Sequence, residues 1–425
     1  MVMAAGIAIF IVTLGVIVVR PRGISEAVPA MLGGLAMLPL GLLTIDDALG
    51  TLAANATLFL FFLGLMTIAA VSDDAGFFER VARLAVMLSR GSPRRLLVNL
   101  FIAGAGITAI LSNDATALVL TPVVYVLVVR LRLEPAPYVF ACTFVADAAS
   151  FLLPVSNPVN VIVLSHSGIG LGAFLLHLFP VALVVLSVNL GLFLVLFRGD
   201  LRGAIDIQRL TPQETTSRYL RWVIGLLGVI ATGYVAASAT GAPVAYVAGA
   251  GGAVLLLASA LAGRFQPRTF ARAISWPLFP FIAGMLLLVR GMENLGLITL
   301  LSRALVSAAG GTVGGATLAG SIGVAVGANL INNVPMALLT ERAIAALPPD
   351  LAIHTPLLYA AVLGADLGPN ISVAGSLATM LWLLILRQRG LQISSIQYLK
   401  LGVIITPPAL IAGALTLWTI VRIFP

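Results

Sequence analysis

Charged residues are scarce in this chain. Only 9% of its 425 residues are Asp, Glu, Lys or Arg, whereas 60% are hydrophobic. A water-soluble protein has roughly a quarter of its residues charged, so the composition excludes an ordinary soluble domain. The hydrophobic residues form runs of about twenty, the length that crosses a ~30 Å hydrocarbon layer. We therefore expect an all-α polytopic membrane protein, with membrane lipid as its main surrounding, and no enzymatic activity.

Cysteine and histidine are equally rare. Cys142 is the only cysteine, which excludes an internal disulfide and any metal site built from several thiolates. The three histidines, His166, His177 and His354, do not have the spacing of metal ligands. We expect Cys142 to be a small core residue, and we expect neither a metal nor a cofactor.

The net charge of +8 comes almost entirely from arginine, and nearly all arginines fall in predicted loops. This pattern indicates membrane topology rather than nucleic-acid binding. The first run, Val2–Val19, is too long for the core of a signal peptide, and no cleavage site of small residues precedes Arg20, which predicts a retained span. No P-loop pattern occurs, so any ATPase would have to be a separate chain.

The chain contains an internal repeat. The segment FFLGLM at 61–66 matches FIAGML at 281–286, an offset of 281 − 61 = 220. The same offset places Ser112-Asn113-Asp114 on Asn332-Asn333-Val334, and an offset of 219 places Asp147 on Asp366. A register this constant indicates a duplication. We predict a first repeat over residues 1–198, a cytoplasmic linker over 199–218 and a second repeat over 219–425.

Each repeat is predicted to have five transmembrane helices, one of them broken, and one re-entrant helical hairpin. In the first repeat, 2–20, 24–44, 52–71 and 172–197 fit single crossings, and 73–90 fits an amphipathic interface helix that Ser72-Asp73-Asp74 would cap. The 34 residues of 96–129 would form a helix of ~50 Å, too long for one crossing. We therefore predict a hairpin broken at Ser112-Asn113-Asp114, and a helix over 137–165 broken at 154–158.

Five crossings is an odd number, so the second repeat must insert upside down relative to the first. With this arrangement, arginines on one side of the membrane outnumber those on the other by about five to one, which marks the richer side as cytoplasmic. We predict a bacterial inner-membrane protein with both termini in the periplasm.

Polar residues gather at four predicted helix breaks. A single polar cluster could be only a helix cap, but four clusters in repeat-related positions favour a substrate site near the middle of the bilayer. The predicted substrate-binding residues are Ser112, Asn113, Ser156, Asn157, Asn160, Asn332, Asn333, Asn370, Gly375, Ser376 and Thr379.

Three carboxylates lie within otherwise apolar stretches: Asp114, Asp147 and Asp366. Each costs about 2.5–3.5 kcal/mol at the centre of a membrane helix, and an acid kept at that cost usually titrates or binds an ion. We predict that the three couple transport to protons. Asp147 and Asp366 occupy equivalent positions, so bracing the broken helices is an open alternative for them. Asp114 has no equivalent, because Val334 occupies its position.

The sequence resembles the bacterial arsenical-pump membrane proteins, which are arsenite permeases of the ArsB type within the ion-transporter superfamily. The segments that carry the resemblance are LSNDATALVLTP (111–122), SNPVN (156–160), NNVPM (332–336), GADLGPN (364–370) and GSLATMLW (375–382). The resemblance implies export of trivalent arsenite and antimonite by the proton gradient, in some members with a soluble ATPase. The sequence reads Ser-Asn-Asp at 112–114, where carboxylate carriers have Ser-Asn-Thr, which argues against that substrate class.

The leading hypothesis is therefore exchange of arsenite or antimonite, as the neutral hydroxide, for protons. The substrate would bind among Asn113, Asn333 and the breaks at Ser156 and Ser376, with Asp114 as the proton carrier. Two alternatives stay open: a sodium/proton antiporter or sodium-coupled anion transporter of the same superfamily, and the membrane subunit of a pump driven by a separate arsenite-stimulated ATPase. A homodimer is also left open.

Overall fold

The computed structural model describes residues 2–19, 24–164, 167–207 and 217–424, and throughout these ranges the secondary structure is helical, without a β-strand. Arg20, Arg22, His166, Arg209 and both terminal residues lie outside the described ranges. The helices of the first half are α1 Val2–Val19, α2 Ala27–Ala36, α3 Ile45–Ala54, α4 Ala56–Asp74, α5 Phe77–Ser89, α6 Pro93–Ile110, the π-helix Ala115–Leu120, α7 Thr121–Arg130, α8 Ala136–Ala148, the 3-10 turn Pro154–Ser156, α9 Pro158–Leu164 and α10 Leu171–Leu196.

The second half has a similar succession of helices. They are α11 Arg218–Thr240, α12 Val244–Leu261, α13 Pro267–Ala273, α14 Leu278–Asn294, α15 Leu297–Ala309, α16 Val313–Ile331, α17 Asn333–Ala345, α18 His354–Leu367, the 3-10 turns Gly368–Asn370 and Val373–Gly375, α19 Leu377–Gln388 and α20 Ser395–Ile423. The helices α5 and α15 have equal length, start 297 − 77 = 220 residues apart, and each follows a glycine with positive φ, Gly76 or Gly296.

Eight helical segments in the described residues are long and apolar enough to cross a membrane. They are Ala56–Asp74, Pro93–Ile110, Leu171–Leu196, Arg218–Thr240, Val244–Leu261, Pro267–Asn294, Val313–Ile331 and Ser395–Ile423. Two of these, Pro93–Ile110 and Val313–Ile331, are the first limbs of the predicted hairpins and are longer than the half-crossings that a re-entrant hairpin implies. Some predicted crossings instead consist of shorter helices, because polar breaks divide them: α8 and α9 in the first half, and α18 and α19 in the second. The chain is thus a multi-pass membrane protein.

The predicted breaks are present. Helix α6 ends at Ile110, and the chain resumes helical structure at Asn113, directly before the π-helix Ala115–Leu120. The Thr108 hydroxyl donates to the Thr116 hydroxyl at 2.8 Å, so the two limbs fold back on each other as a hairpin. In the second half the break lies at Asn332, between α16 and α17. The helix predicted over 137–165 is interrupted between α8 and α9.

Two local predictions are wrong. Residues 24–44 are not one continuous helix: α2 ends at Ala36, and Thr44 and Asp47 then form a capping box that starts the separate helix α3. The hydrogen bond from the Thr44 hydroxyl, at 2.7 Å, lowers the pKa of the Asp47 carboxyl below its usual value. The interface helix is not capped by Ser72-Asp73-Asp74. These residues form the last turn of α4, and α5 starts after the left-handed Gly76.

The two halves interlock through glycine contacts. Helix α4 packs along α12, and α14 packs along α2. At Gly64 of α4 a Cβ atom would collide with the backbone of Ala248, and at Gly284 of α14 with the backbone of Ala30. The two glycines are 284 − 64 = 220 residues apart. Close approach of helices at small residues is the usual way to pack helices in a bilayer, where the hydrophobic effect does not drive their association.

Substitution of Gly284 by alanine tests this packing. In a helix, Gly→Ala is ordinarily stabilising by about 1 kcal/mol. At this position the added methyl has no room, and we expect an overpacking cost of about 1–3 kcal/mol, seen as a lower melting temperature in detergent. Gly106→Ala on α6 is the matched control, because its Cβ would meet nothing within 4 Å. Equal melting temperatures for the two variants would contradict the packing argument.

Candidate functional site

A cavity of about 400 Å³ lies where both hairpins and both broken helices meet α4 and the start of α14. Much of its wall is apolar, formed by residues such as Phe62, Leu65, Met66, Leu381 and Ile385. Polar side chains are fewer, and most of them lie at the helix breaks. Of the residues predicted to form the site, the cavity brings together Ser112, Asn113, Asp114, Asn157, Asn333 and Ser376.

The first hairpin contributes a carboxylate to this wall. Ser112 Oγ accepts from the Ala115 amide at 3.2 Å, so Ser112 is a helix cap as well as a lining residue. Asn113 Oδ1 accepts from the Asp114 amide at 2.9 Å, and its Nδ2 donates to Asp147 Oδ1 at 3.4 Å. Asp114 is half-buried in the lining and its carboxylate has no hydrogen bond to the described part of the chain. This carboxylate is therefore available to a ligand in the cavity.

The tip of the second hairpin is built differently. Asn332 has a φ of 78°, a conformation unusual for a residue other than glycine. Its Oδ1 accepts from the Val334 amide at 3.3 Å, and its Nδ2 donates to the Ala374 carbonyl at 3.4 Å. Asn332 lies outside the cavity lining, whereas the neighbouring Asn333 lines the cavity.

The broken helices join the two halves through Asn157. Its Nδ2 donates to Asp366 Oδ1 at 2.8 Å, across 209 residues of sequence, while its Oδ1 accepts from the Val159 amide at 3.1 Å. In the second half, Ser376 Oγ accepts from the Ala378 amide at 3.2 Å. Both side chains cap short helices and line the cavity, so capping and lining coincide at these positions.

The remaining predicted residues are outside the cavity lining and form hydrogen bonds or pack elsewhere in the protein. Asn160 donates to the Ser150 carbonyl at 2.7 Å, and Asn370 donates to the Phe144 carbonyl at 3.2 Å, which braces unwound backbone. The cavity lining does not include Ser156, Asn160, Asn332, Asn370, Gly375, Thr379, Asp147 or Asp366.

Asp147 and Asp366 form a buried pair of carboxyls on helices that pack together, α8 and α18. Each has one oxygen bonded to an asparagine, Asn113 or Asn157. The other oxygen of each is buried without a hydrogen-bond partner among the described residues. An unpaired buried polar atom is costly, so each carboxyl is placed to take up a proton or a cation. Asn113 and Asn157, which bond to these carboxyls, also line the cavity and so connect the pair of carboxyls to it.

Sequence reasoning missed two charged residues of the cavity, Asp73 and Arg272. The sequence around Asp73 resembles a helix cap, although Gly76 three residues later is the stronger signal for a helix start. Arg272 lies on the short helix α13 and has no sequence feature that distinguishes it from the other loop arginines. Among the described residues, no cluster of three His, Cys, Asp or Glu could hold a metal ion.

An all-helical membrane fold with a polar cavity at its helix breaks defines a membrane transporter. Residues 3–364 match the model of the family described as "Citrate transporter", and the chain belongs to this family. It is 30% identical over 413 residues to the arsenical pump membrane proteins of Escherichia coli K12 and of Yersinia enterocolitica, covering 95% of each chain. The resemblance stated from the motifs is thereby confirmed.

Two solved structures share the fold. The YdaH transporter of Alcanivorax borkumensis superposes with a TM-score of 0.62 at 15% identity, covering 90% of each chain. MtrF of Neisseria gonorrhoeae, described as one of a class of antimetabolite efflux pumps, superposes with a TM-score of 0.53 at 14% identity, covering 89% of this chain and 85% of that one. At these identities the likeness concerns the fold alone.

The position of Cys142 yields a prediction about transport. Its thiol is buried in α8 and is not part of the cavity lining. A side chain that neither lines the cavity nor has a second thiol beside it cannot hold a transported solute, so Cys142→Ala should retain most transport activity. Activity is compared at equal amounts of membrane-inserted protein. Loss of activity at normal insertion would mean that the thiol takes part in transport.

Proposed function

We propose that this protein exports trivalent arsenite or antimonite, as the neutral hydroxide, in exchange for protons. The observation that carries the proposal is one cavity that joins an unbonded carboxylate at a helix break, Asp114, to three amides from both halves: Asn113, Asn157 and Asn333. The names of the relatives support an arsenical substrate.

The chemistry of the wall suits a neutral hydroxide. Arsenous acid carries three hydroxyls that can donate and accept, and amide and hydroxyl side chains offer both kinds of partner. The polar wall groups are few and include no thiolate. Such a site binds weakly and releases quickly, as an exporter requires.

Asp114 is placed to couple the two flows. The protonated carboxyl is a neutral donor, and the ionised carboxylate accepts a hydrogen bond from a substrate hydroxyl. The two protonation states offer the hydroxide different hydrogen-bond partners, so uptake of a proton would change the affinity for the substrate, and this difference would couple the two flows. Each proton that enters across 100 mV releases about 2.3 kcal/mol, which corresponds to about a fifty-fold concentration ratio for a neutral substrate. Asp147 and Asp366 are candidates for a second proton site.

We further propose that residues 1–198 and 219–425 are inverted repeats in a bacterial inner membrane, with both termini periplasmic and residues 199–218 as the cytoplasmic linker. Of this linker, 208–216 lies outside the described ranges. The arginine asymmetry supports this topology. With this orientation, Asp73 and Arg272 belong to the cytoplasmic end of the cavity, which would therefore be open to the compartment from which arsenite is exported.

Asp114→Asn is the principal test. The amide keeps shape and hydrogen bonding but cannot titrate, so we expect it to abolish pH-driven arsenite accumulation in everted vesicles while arsenite still binds. Asp46→Asn, at an exposed acid outside the cavity, is the control and should accumulate normally. The vesicles contain no ATP, so accumulation by the unmodified protein would also exclude an obligatory ATPase. If Asp114→Asn still accumulates arsenite in response to an imposed pH gradient, Asp114 is not the proton carrier and Asp147 becomes the leading candidate.

A sodium-coupled anion transporter is the second candidate, because the family is described by citrate and the cavity contains Arg272. A carboxylate substrate would depend on this guanidinium. A hydrogen bond to a charged group contributes about 1.5–3 kcal/mol, so Arg272→Gln should then reduce citrate transport at least about tenfold.

Export of a neutral hydroxide predicts a different result. Arg272→Gln should lower arsenite flux less than about twofold, since a neutral solute gains little from a single charge. Arg268→Gln, on the same helix but outside the cavity lining, is the matched control. Flux is measured with and without sodium. A sodium-dependent citrate uptake that Arg272→Gln abolishes would overturn the arsenite proposal.

A further inference from the structure

Two clefts occur at equivalent places in the two halves. One, of about 360 Å³, lies between the interface helix α5 and the second limb of the first hairpin, α7; the other, of about 420 Å³, lies between α15 and α17. The offset of 220 connects their linings at Glu79 and Thr299, Ala82 and Ser302, Arg83 and Arg303, Val126 and Ala346, and Leu127 and Leu347.

The two clefts differ in charge. The first cleft holds Arg130, in the last turn of α7, and Arg389, the residue after α19, in addition to Arg83. The second cleft contains only Arg303 as a charged lining residue. At the position equivalent to Arg130, 130 + 220 = 350, the second half has Asp350. The basic character is therefore specific to the first cleft.

The positive charge of the first cleft is only partly neutralised. Arg83 pairs with Glu79 at 2.8 Å. Arg130 and Arg389 are exposed and form no ion pair with the described part of the chain. The remaining acid of the cleft is Asp73, on the boundary with the substrate cavity. Two arginines with free guanidinium groups suit a bound anion of the phosphate type, which arginine contacts through paired hydrogen bonds.

The rest of the lining is apolar and belongs to a hairpin limb in the membrane region. Apart from Ala82 on α5, it consists of Leu118, Val119, Pro122, Val123, Val126 and Leu127. Val126 is 39% exposed, so this limb is open to the surrounding lipid. A basic rim above an apolar wall complements a molecule with an anionic head and a hydrocarbon tail.

We propose that this cleft binds an anionic phospholipid of the leaflet at its arginine-rich side, with the phosphate between Arg130 and Arg389 and an acyl chain along the apolar wall. The site is separate from the proposed transport chemistry. The cleft borders the substrate cavity at Leu118 and Val119, which line both. A lipid in the cleft would pack against the second limb of the first hairpin and stabilise its position.

The test is titration of the detergent-purified, full-length protein with phosphatidylglycerol, read by native mass spectrometry, with phosphatidylcholine as the zwitterionic comparison. One basic residue near an anionic lipid contributes about fivefold to affinity. The double substitution Arg130→Gln and Arg389→Gln should therefore weaken phosphatidylglycerol binding about 25-fold and weaken phosphatidylcholine binding much less, because the choline group cancels the charge of its phosphate. Arg303→Gln, in the equivalent cleft, is the matched control and should change neither.

The possible outcomes separate the alternatives. The substituted arginines are exposed, so the double variant should keep its melting temperature, which shows that it is folded. Equal affinity for the two lipids, or an equal loss in the Arg303→Gln control, would overturn the proposal. Inorganic phosphate is added as a competitor. If it displaces phosphatidylglycerol at comparable concentration, the cleft takes a free phosphate and the assignment to a lipid is wrong.

Discussion

Every backbone amide and carbonyl in the hydrocarbon region needs a partner within the protein, since lipid offers none. An unbroken helix meets this need by itself, but a broken helix does not. In this protein the breaks are kept by short polar side chains: Ser112 caps the first hairpin, Asn332 the second, and Asn157 and Ser376 the two short helices. The substrate cavity exists because these breaks converge, and three of these capping residues, Ser112, Asn157 and Ser376, also belong to its polar wall.

The same constraint couples the two halves. A partner for a buried group can come from either half, and the structure uses both. Asn157 of the first half bonds to Asp366 of the second, and Asn370 of the second bonds to the Phe144 carbonyl of the first. Together with the glycine contacts at Gly64 and Gly284, these bonds make the site a product of both halves. Neither half could form it alone.

Much of the fold could be predicted from sequence because its signals are local. Helix breaks appear as Asn and Ser within apolar runs, and duplication appears as a constant offset. The lining of the cavity is not a local property. Asn157 and Asn160 are three residues apart, yet one lines the cavity and the other braces the backbone at Ser150. Asp73 and Arg272 reach the cavity through tertiary packing, which no pattern in their own segments could indicate.

Leu118 and Val119 line both the substrate cavity and the cleft between α5 and α7. An occupant of either space would contact these two side chains, which would couple the two binding events. Thermodynamic reciprocity then applies: whatever factor an occupied cleft adds to or removes from substrate affinity, the substrate imposes on the cleft's occupant. The lipid composition of the membrane would thus change the apparent affinity for the transported solute, although no lipid contacts the solute.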